Sequence, residues 1–248
     1  MKTQNYPYRW LVKCAEIALV MGIVIFSFDA IHDFFSPTFS SDVSYSYEAY
    51  YSDNNAAHTL YWEARRQVNA ENYTDAFVYY SEAITEDRNY AAPYLGRGLL
   101  QEQRGDYSAA AEDFYHYMMY THTSHRRKSY TPLNDDIQTK TVTLTMREGH
   151  IFSIPINIMD GETLTINADS NTADPIVVLM SPDGEIVTGS DDSYTTTSQD
   201  NVYRQFESMN AAIPATTLAE TGTYILLVSH AGGGSEGDVT VAITATQP

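Results

Sequence analysis

Four aspartates, Asp174, Asp191, Asp192 and Asp200, are the residues of this 248-residue chain whose types point most directly to chemistry. Carboxylates gathered from loops suit a hard divalent cation, since calcium takes roughly six to eight oxygens at once. Their spacing is not that of an EF-hand, so a cation reading rests on clustering; the competing reading is that they cap turns and solvate a rim. Two other patterns carry less. Gly233-Gly234-Ser235-Glu236-Gly237 fits G-x-S-x-G, but a strand pattern follows where a nucleophile elbow needs a helix, so a glycine-rich hairpin is expected. His116, His122 and His125 precede Arg126-Arg127-Lys128 without the further ligands that zinc requires, which reads as a solvated linker. The sequence contains no phosphate loop, dinucleotide fingerprint, metalloprotease motif or paired-cysteine metal site, and the expectation is that the chain is not an enzyme.

Charge narrows the partners. The chain has 32 acidic and 14 basic residues, a formal net charge of −18. From Asn134 to the end there are sixteen acidic residues against three basic ones, so thirteen of those net charges lie in the C-terminal half. Nucleic acid is excluded as a partner there, because phosphate binding needs clustered positive charge. The one cysteine, Cys14, has no intramolecular disulfide partner.

The sequence texture divides the chain. Lys2, Arg9 and Lys13 precede an apolar run from Ile17 to Phe28, and Asp29 and Asp33 follow it. Residues 1–30 are therefore expected to be a signal anchor or signal peptide, with the N-terminus cytoplasmic and the rest outside. Single-pass anchoring in the cell membrane is the first expectation, and a secreted chain is the alternative. Residues 31–56, rich in Ser, Tyr and Asp, read as an extracytoplasmic linker. Helical spacing then runs to about 120, residues 121–138 read as a second linker, and alternation with period two occupies 139–248.

The helical part repeats. Ala57 to Tyr90 aligns with Ala91 and the residues after it at a spacing of 34, pairing Ala64 with Gly98, Tyr73 with Tyr107, Ala76 with Ala110, and Tyr80 with Phe114. Small residues at such positions let antiparallel helices approach, and the aromatics fill the layer between hairpins. These residues, with Gly105 and Asp106, resemble the tetratricopeptide repeat in two units over about 57–120. The resemblance implies an interaction scaffold whose first helices line a groove. Its partner-facing positions map onto His58, Tyr61, Trp62, Arg65, Val68, Asn69, Leu95, Leu99, Glu102 and Gln103, with Tyr61, Trp62 and Arg65 as preferred contacts. Two units are few for this architecture. A cap is therefore expected from Ser44 to Ser52, from the tail near Met118, from the C-terminal domain, or from a second copy through self-association.

The alternating part reads as half-buried strands at Val142 to Met146, Ile151 to Ile156, Leu164 to Ile166, Ile176 to Met180, Thr223 to Ser229 and Asp238 to Thr244. Turn residues such as Asp160-Gly161 and Ser181-Pro182-Asp183-Gly184 separate them, which predicts an antiparallel sandwich. Glu148-Gly149-His150, Asp174-Pro175, Ser181-Pro182-Asp183-Gly184, Asp191-Asp192 and Glu220-Thr221-Gly222-Thr223-Tyr224 resemble the bacterial pre-peptidase C-terminal domain over about 139–245. Ser193 to Ile213 departs from that pattern. The resemblance implies a jelly-roll-like sandwich with an accessory role in a bacterial surface or secreted protein. Some members of that family bind calcium, and Asp174, Asp191, Asp192 and Asp200 would converge at one end of such a sandwich.

The expected architecture is thus multidomain α and β: a membrane or signal helix, a short helical hairpin repeat and an antiparallel sandwich. The expected function is a non-catalytic, exported or membrane-anchored cell-envelope scaffold that binds a protein or peptide. The alternative is a surface-binding or adhesion module in which the acidic sandwich takes a ligand, with calcium as its cofactor.

Overall fold

A computed structural model describes residues 52–121, 126–129, 139–147, 149–195, 205–231 and 236–247. The expected signal or anchor segment, most of the first linker, Asp200, Ser235, His122 and His125 lie outside the described residues. Among the described residues no helix is long and apolar enough to cross a membrane.

Four helices come first: α1 (Asn55–Asn69), α2 (Tyr73–Glu86), α3 (Ala91–Gln103) and α4 (Tyr107–Thr121). They form two antiparallel hairpins, α1 with α2 and α3 with α4. Asn54 caps α1, its side chain accepting from the Ala56 and Ala57 amides, and its amide group donates to the Glu86 carbonyl at the far end of α2. The Ser52 hydroxyl donates to Asp87 beside it. The aligned positions do equivalent work: Ala64, Ala76, Ala110 and Phe114 are fully buried, and Tyr80 joins Tyr61 and Tyr90 in an aromatic layer with ring centroids 5.3–6.0 Å apart from Tyr61. Even the turns match, since Glu71 and Gly105, which are 34 residues apart, both take positive φ, 59° and 83°. Glycine adopts that conformation without a Cβ clash.

The strands build two sheets. One has the order β1-β3-β10-β5-β6, from β1 (Arg126–Ser129), β3 (His150–Ile158), β10 (Gly222–His230), β5 (Pro175–Met180) and β6 (Ile186–Ser190). The other has the order β2-β11-β4-β9, from β2 (Thr139–Met146), β11 (Gly237–Thr246), β4 (Thr163–Asp169) and β9 (Ala211–Thr217). A small hairpin pairs β7 (Ser193–Thr195) with β8 (Gln205–Ser208). Pairing is antiparallel except between β1 and β3, where Arg126 lies opposite His150. The second expected linker therefore contributes an edge strand. All six strands read from alternation are present, while β6, short and built partly from Thr, Gly and Ser, gave no such signal.

The two sheets enclose one core of Leu144, Phe152, Ile154, Ile166, Val177, Leu179, Leu226, Val241 and their neighbours. The alternate residues of the five-stranded sheet face the other way, and Ile151, Ile176, Val178 and Leu227 form a second core with Tyr94, Phe114, Tyr117 and Met118 of the helices. This corrects the expectation that Ile176 to Met180 is half-buried. Both faces of β5 are covered, which is why it is a continuous apolar run rather than an alternating one. Strands β5 and β6 lie on α4, so the helical and sandwich parts share a core and all described residues belong to one compact unit. The face of α4 is thereby capped from within the chain, without a second copy at that end.

Candidate functional site

Two places in this fold gather the residues singled out by sequence. The first is the outer helix α1. Trp62 is 43 % exposed; its indole N–H donates to His58 Nε2 at 3.0 Å, and the Tyr61 ring meets it edge-to-face at 5.4 Å, which together fix its orientation. Arg65 is half-buried and donates from Nη1 to the Tyr61 hydroxyl at 3.1 Å. Asn69 is exposed, and Val68, Leu99 and Gln103 are half-buried. Three of the expected contacts are not available to a partner. Tyr61, 2 % exposed, is the centre of the aromatic layer, and Leu95 is packed in the core shared with the sandwich. Glu102 is fully buried at a different place altogether. Helical spacing marks one face of a helix but not which part of that face the rest of the chain covers.

The second place is the junction where the last turn of α3 meets the end of β6. The backbone amides of Asp191 and Asp192 donate to the Glu102 carboxylate at 3.1–3.2 Å. Ser190, just before them, is buried, and its hydroxyl accepts from the Ala212 amide at 2.8 Å. Asp174, at the entry to β5, completes the group: one carboxylate oxygen each from Asp174, Asp191 and Asp192 lie within 4.8 Å of one another. The structure thus brings together three of the four aspartates read as cation ligands, and adds Glu102 beside them. One sequence signal marked Glu102. Its partner position in the first repeat is the apolar Val68, so the second repeat places a carboxylate where the first has an apolar side chain.

The electrostatics of this junction are unusual. Burial, and then the charge of Asp192, pushes the Glu102 carboxyl up to about 8. Burial pushes Asp192 up to about 7, against the Tyr194 hydroxyl that donates to its Oδ2 at 3.2 Å. Asp174 and Asp191 are held well above the usual carboxylate range, first by burial and then by the neighbouring carboxylates. In a chelator, where no cation offsets these charges, the fold takes up protons that the unfolded chain releases from about pH 4. The folded-state values are raised, so this contribution is complete below the unfolded values and is lost as pH climbs through about 7–8. Urea unfolding in EDTA should give a stability lower by a few kcal/mol at pH 8 than at pH 5, and Glu102→Gln should flatten that dependence. A profile rising toward pH 8, or one unchanged by Glu102→Gln, would contradict this account.

His116 is exposed on α4 and stacks on Tyr120 at 5.8 Å.

No family model matches the chain, and no curated protein matches it. Solved structures similar to it include a periplasmic inhibitor of g-type lysozyme, PliG, from Aeromonas hydrophila, at 10 % identity, covering 50 % of this chain and 100 % of that one, with a TM-score of 0.38. Others are the pre-peptidase C-terminal domain of a Bacillus anthracis collagenase (13 % identity, 49 % and 96 % covered, TM-score 0.32) and the surface-associated copper-binding protein CorA of Methylomicrobium album BG8 (12 % identity, 49 % and 98 % covered, TM-score 0.31).

Proposed function

We propose that the chain is a non-catalytic scaffold of the cell envelope that holds a protein or peptide partner on its two helical hairpins, read as tetratricopeptide-type units. The observation that carries this reading is Trp62: a large aromatic, 43 % exposed, held in one orientation by His58. Rigid exposed aromatics bury much area on contact at little entropic cost, and tryptophan is enriched among the residues that dominate binding energy. The surface around it adds the Arg65 guanidinium, Asn69 and the flank of Val68. Support also comes from the other side of the helical layer, where the sandwich backs α4 and keeps the hairpins from reorganising. Extracytoplasmic placement rests on the charge asymmetry around the apolar run Ile17 to Phe28.

The test uses the full-length chain as bait in an envelope extract of the native organism, beside a Trp62→Ala version with the same melting temperature. Because Trp62 is exposed, its truncation should leave stability within about 0.5 kcal/mol. A partner retained by the first bait should fall by about tenfold or more on the second. Retention of the same proteins by both baits would sink the reading at this surface.

A further inference from the structure

We propose that two copies of this chain join through strand β2, pairing antiparallel about a two-fold axis at Thr143, so that the four-stranded sheet of one continues into that of the other. The inference goes beyond the partner-binding reading and does not depend on Trp62.

A sheet edge presents a row of backbone N–H and C=O groups that water or another extended strand must satisfy, and folds blunt such edges with charge, proline, bulges or a covering element. Three of the four edges of this sandwich are treated in that way. Strand β1 consists of Arg126, Arg127, Lys128 and Ser129. Strand β9 contains the exposed Pro214 and a break in register against β4, and its Ala212 amide is already used by the Ser190 hydroxyl of β6. Strand β6 has a break in register of its own and lies under α4, where Gly189 meets Ala111. Strand β2 has none of these devices. It runs from Thr139 to Met146 without Pro or Gly, its register against β11 is unbroken, and among the described residues no strand pairs with its other side.

The side chains of β2 identify the strand that fits. Thr139, Thr141, Thr143 and Thr145 are exposed on the outer face, while Leu144 and Met146 are buried in the core and Val142 is half-buried at its margin. A strand laid beside β2 one residue out of register would turn its apolar residues to the solvent. An antiparallel copy of β2 avoids that error when the axis falls on a residue, since each residue then meets one from the same face. With the axis at Thr143, Thr143 meets Thr143, Thr141 meets Thr145, and the half-buried Val142 meets Leu144. The outer face already uses threonine pairs across its strands: the Thr139 and Thr244 hydroxyls lie 3.1 Å apart, and those of Thr163 and Thr217 3.0 Å apart. Charge also selects this edge. On a chain with a net charge of −18, β2 has no acidic residue, and its Lys140 meets Met146 rather than its own copy, so no like charges are opposed along the pairing. Every pair then occurs twice about the axis, which closes the assembly at two copies.

The experiment is sedimentation velocity of the full-length chain in a density-matched detergent, at protein concentrations up to about 100 µM, which reads dissociation constants in the micromolar range. A concentration-dependent dimer is expected. Thr143→Lys, an exposed change that sets two ammonium groups face to face at the axis, should raise the dissociation constant by about tenfold or more, while Thr217→Lys on the β9 edge should leave it unchanged. To locate the axis, Thr143→Cys is combined with Cys14→Ser. Cβ atoms directly opposed in antiparallel strands lie about 4.5–5.5 Å apart, so mild oxidation should give a disulfide-linked dimer. A wild-type chain that stays monomeric over this range overturns the proposal and leaves the edge to a strand of another protein. A dimer that Thr143→Lys leaves intact, or one that the cysteine fails to link, overturns it equally by placing the contact elsewhere. Should Thr143→Lys fail to fold, the wild-type titration and the cysteine cross-link decide the matter.

Discussion

Replacing Arg97 with methionine should lower the unfolding free energy by about 3–5 kcal/mol. Arg97 joins three helices. Its Nε and Nη2 donate to the two carboxylate oxygens of Asp113 on α4 at 2.8 and 2.7 Å, its Nη1 donates to the Ser81 hydroxyl on α2 at 3.2 Å, and its guanidinium lies 5.9 Å from the rings of Phe77 and Tyr94. The expected loss comes mostly from what is left behind. The Asp113 side chain is 3 % exposed, and burial holds its carboxyl above the ordinary value even though the guanidinium pulls it down. Desolvation outweighs the attraction on the Asp113 side, while on the Arg97 side the bonds to Asp113 outweigh it and hold the guanidinium more firmly protonated; the more deeply buried Asp113 is the partner whose loss of its counter-charge costs most. A pair of this kind is worth little against an apolar substitute, but breaking it from one side strands a buried charge. The double variant Arg97→Met, Asp113→Leu should accordingly recover most of the loss. Urea unfolding of both variants checks this; a single variant within about 1 kcal/mol of wild type, or a double variant no better than the single, would refute it.

Gly189→Val should cost about 3 kcal/mol or more and lower the melting temperature by about 6–12 °C. Gly189 is in β6, under α4. A Cβ there would lie 2.7 Å from the Val177 carbonyl oxygen, 2.9 Å from Ala111 Cβ and 3.2 Å from Ala111 Cα. Two of these three atoms are backbone, of a paired strand and of a helix, so no side-chain rotation relieves the overlap. Relieving the Ala111 contacts means separating the helical layer from the sheet, which opens the core around Ile176 and Val178, and relieving the Val177 contact means distorting the pairing of β5 with β6. Gly189→Ala should show the same effect in smaller measure, and Ala111→Gly should rescue Gly189→Val only partly, because the carbonyl clash remains. Differential scanning calorimetry gives the answer; a Gly189→Val chain melting within 2 °C of wild type would show that the layers are less tightly seated than these distances require.

Both predictions concern contacts that no spacing rule announces. Arg97 and Asp113 are 16 residues apart on different helices, and Gly189 meets Ala111 from 78 residues away in the sequence. What the sequence did carry was local. Two helical hairpins followed from the 34-residue correspondence, to which the structure added the matching backbone of the turns at Glu71 and Gly105. The strands β2, β3, β4, β10 and β11 followed from alternation and turn residues, because a period of two is forced on any strand with one covered face, and β5 followed as a short apolar run bounded by turn residues although both its faces are covered. The aspartates were visible as residue types, and three of them do meet.

Periodicity tells which side of an element is apolar; it does not tell what lies against that side. That limit explains the misplacement of Tyr61, Leu95 and Glu102 in a groove, for each sits on the expected face of its helix and is buried there by a neighbour far away in sequence. It explains as well why the cap of the two-hairpin stack stayed open among several candidates. The tertiary structure answered it at the α4 end by laying the five-stranded sheet there, and only that docking carries Glu102 to the end of β6 and gathers carboxylates from α3, the entry to β5 and the end of β6 at one place. Side-chain chemistry is written residue by residue, whereas the charge density at that point exists only once separate elements have been packed together.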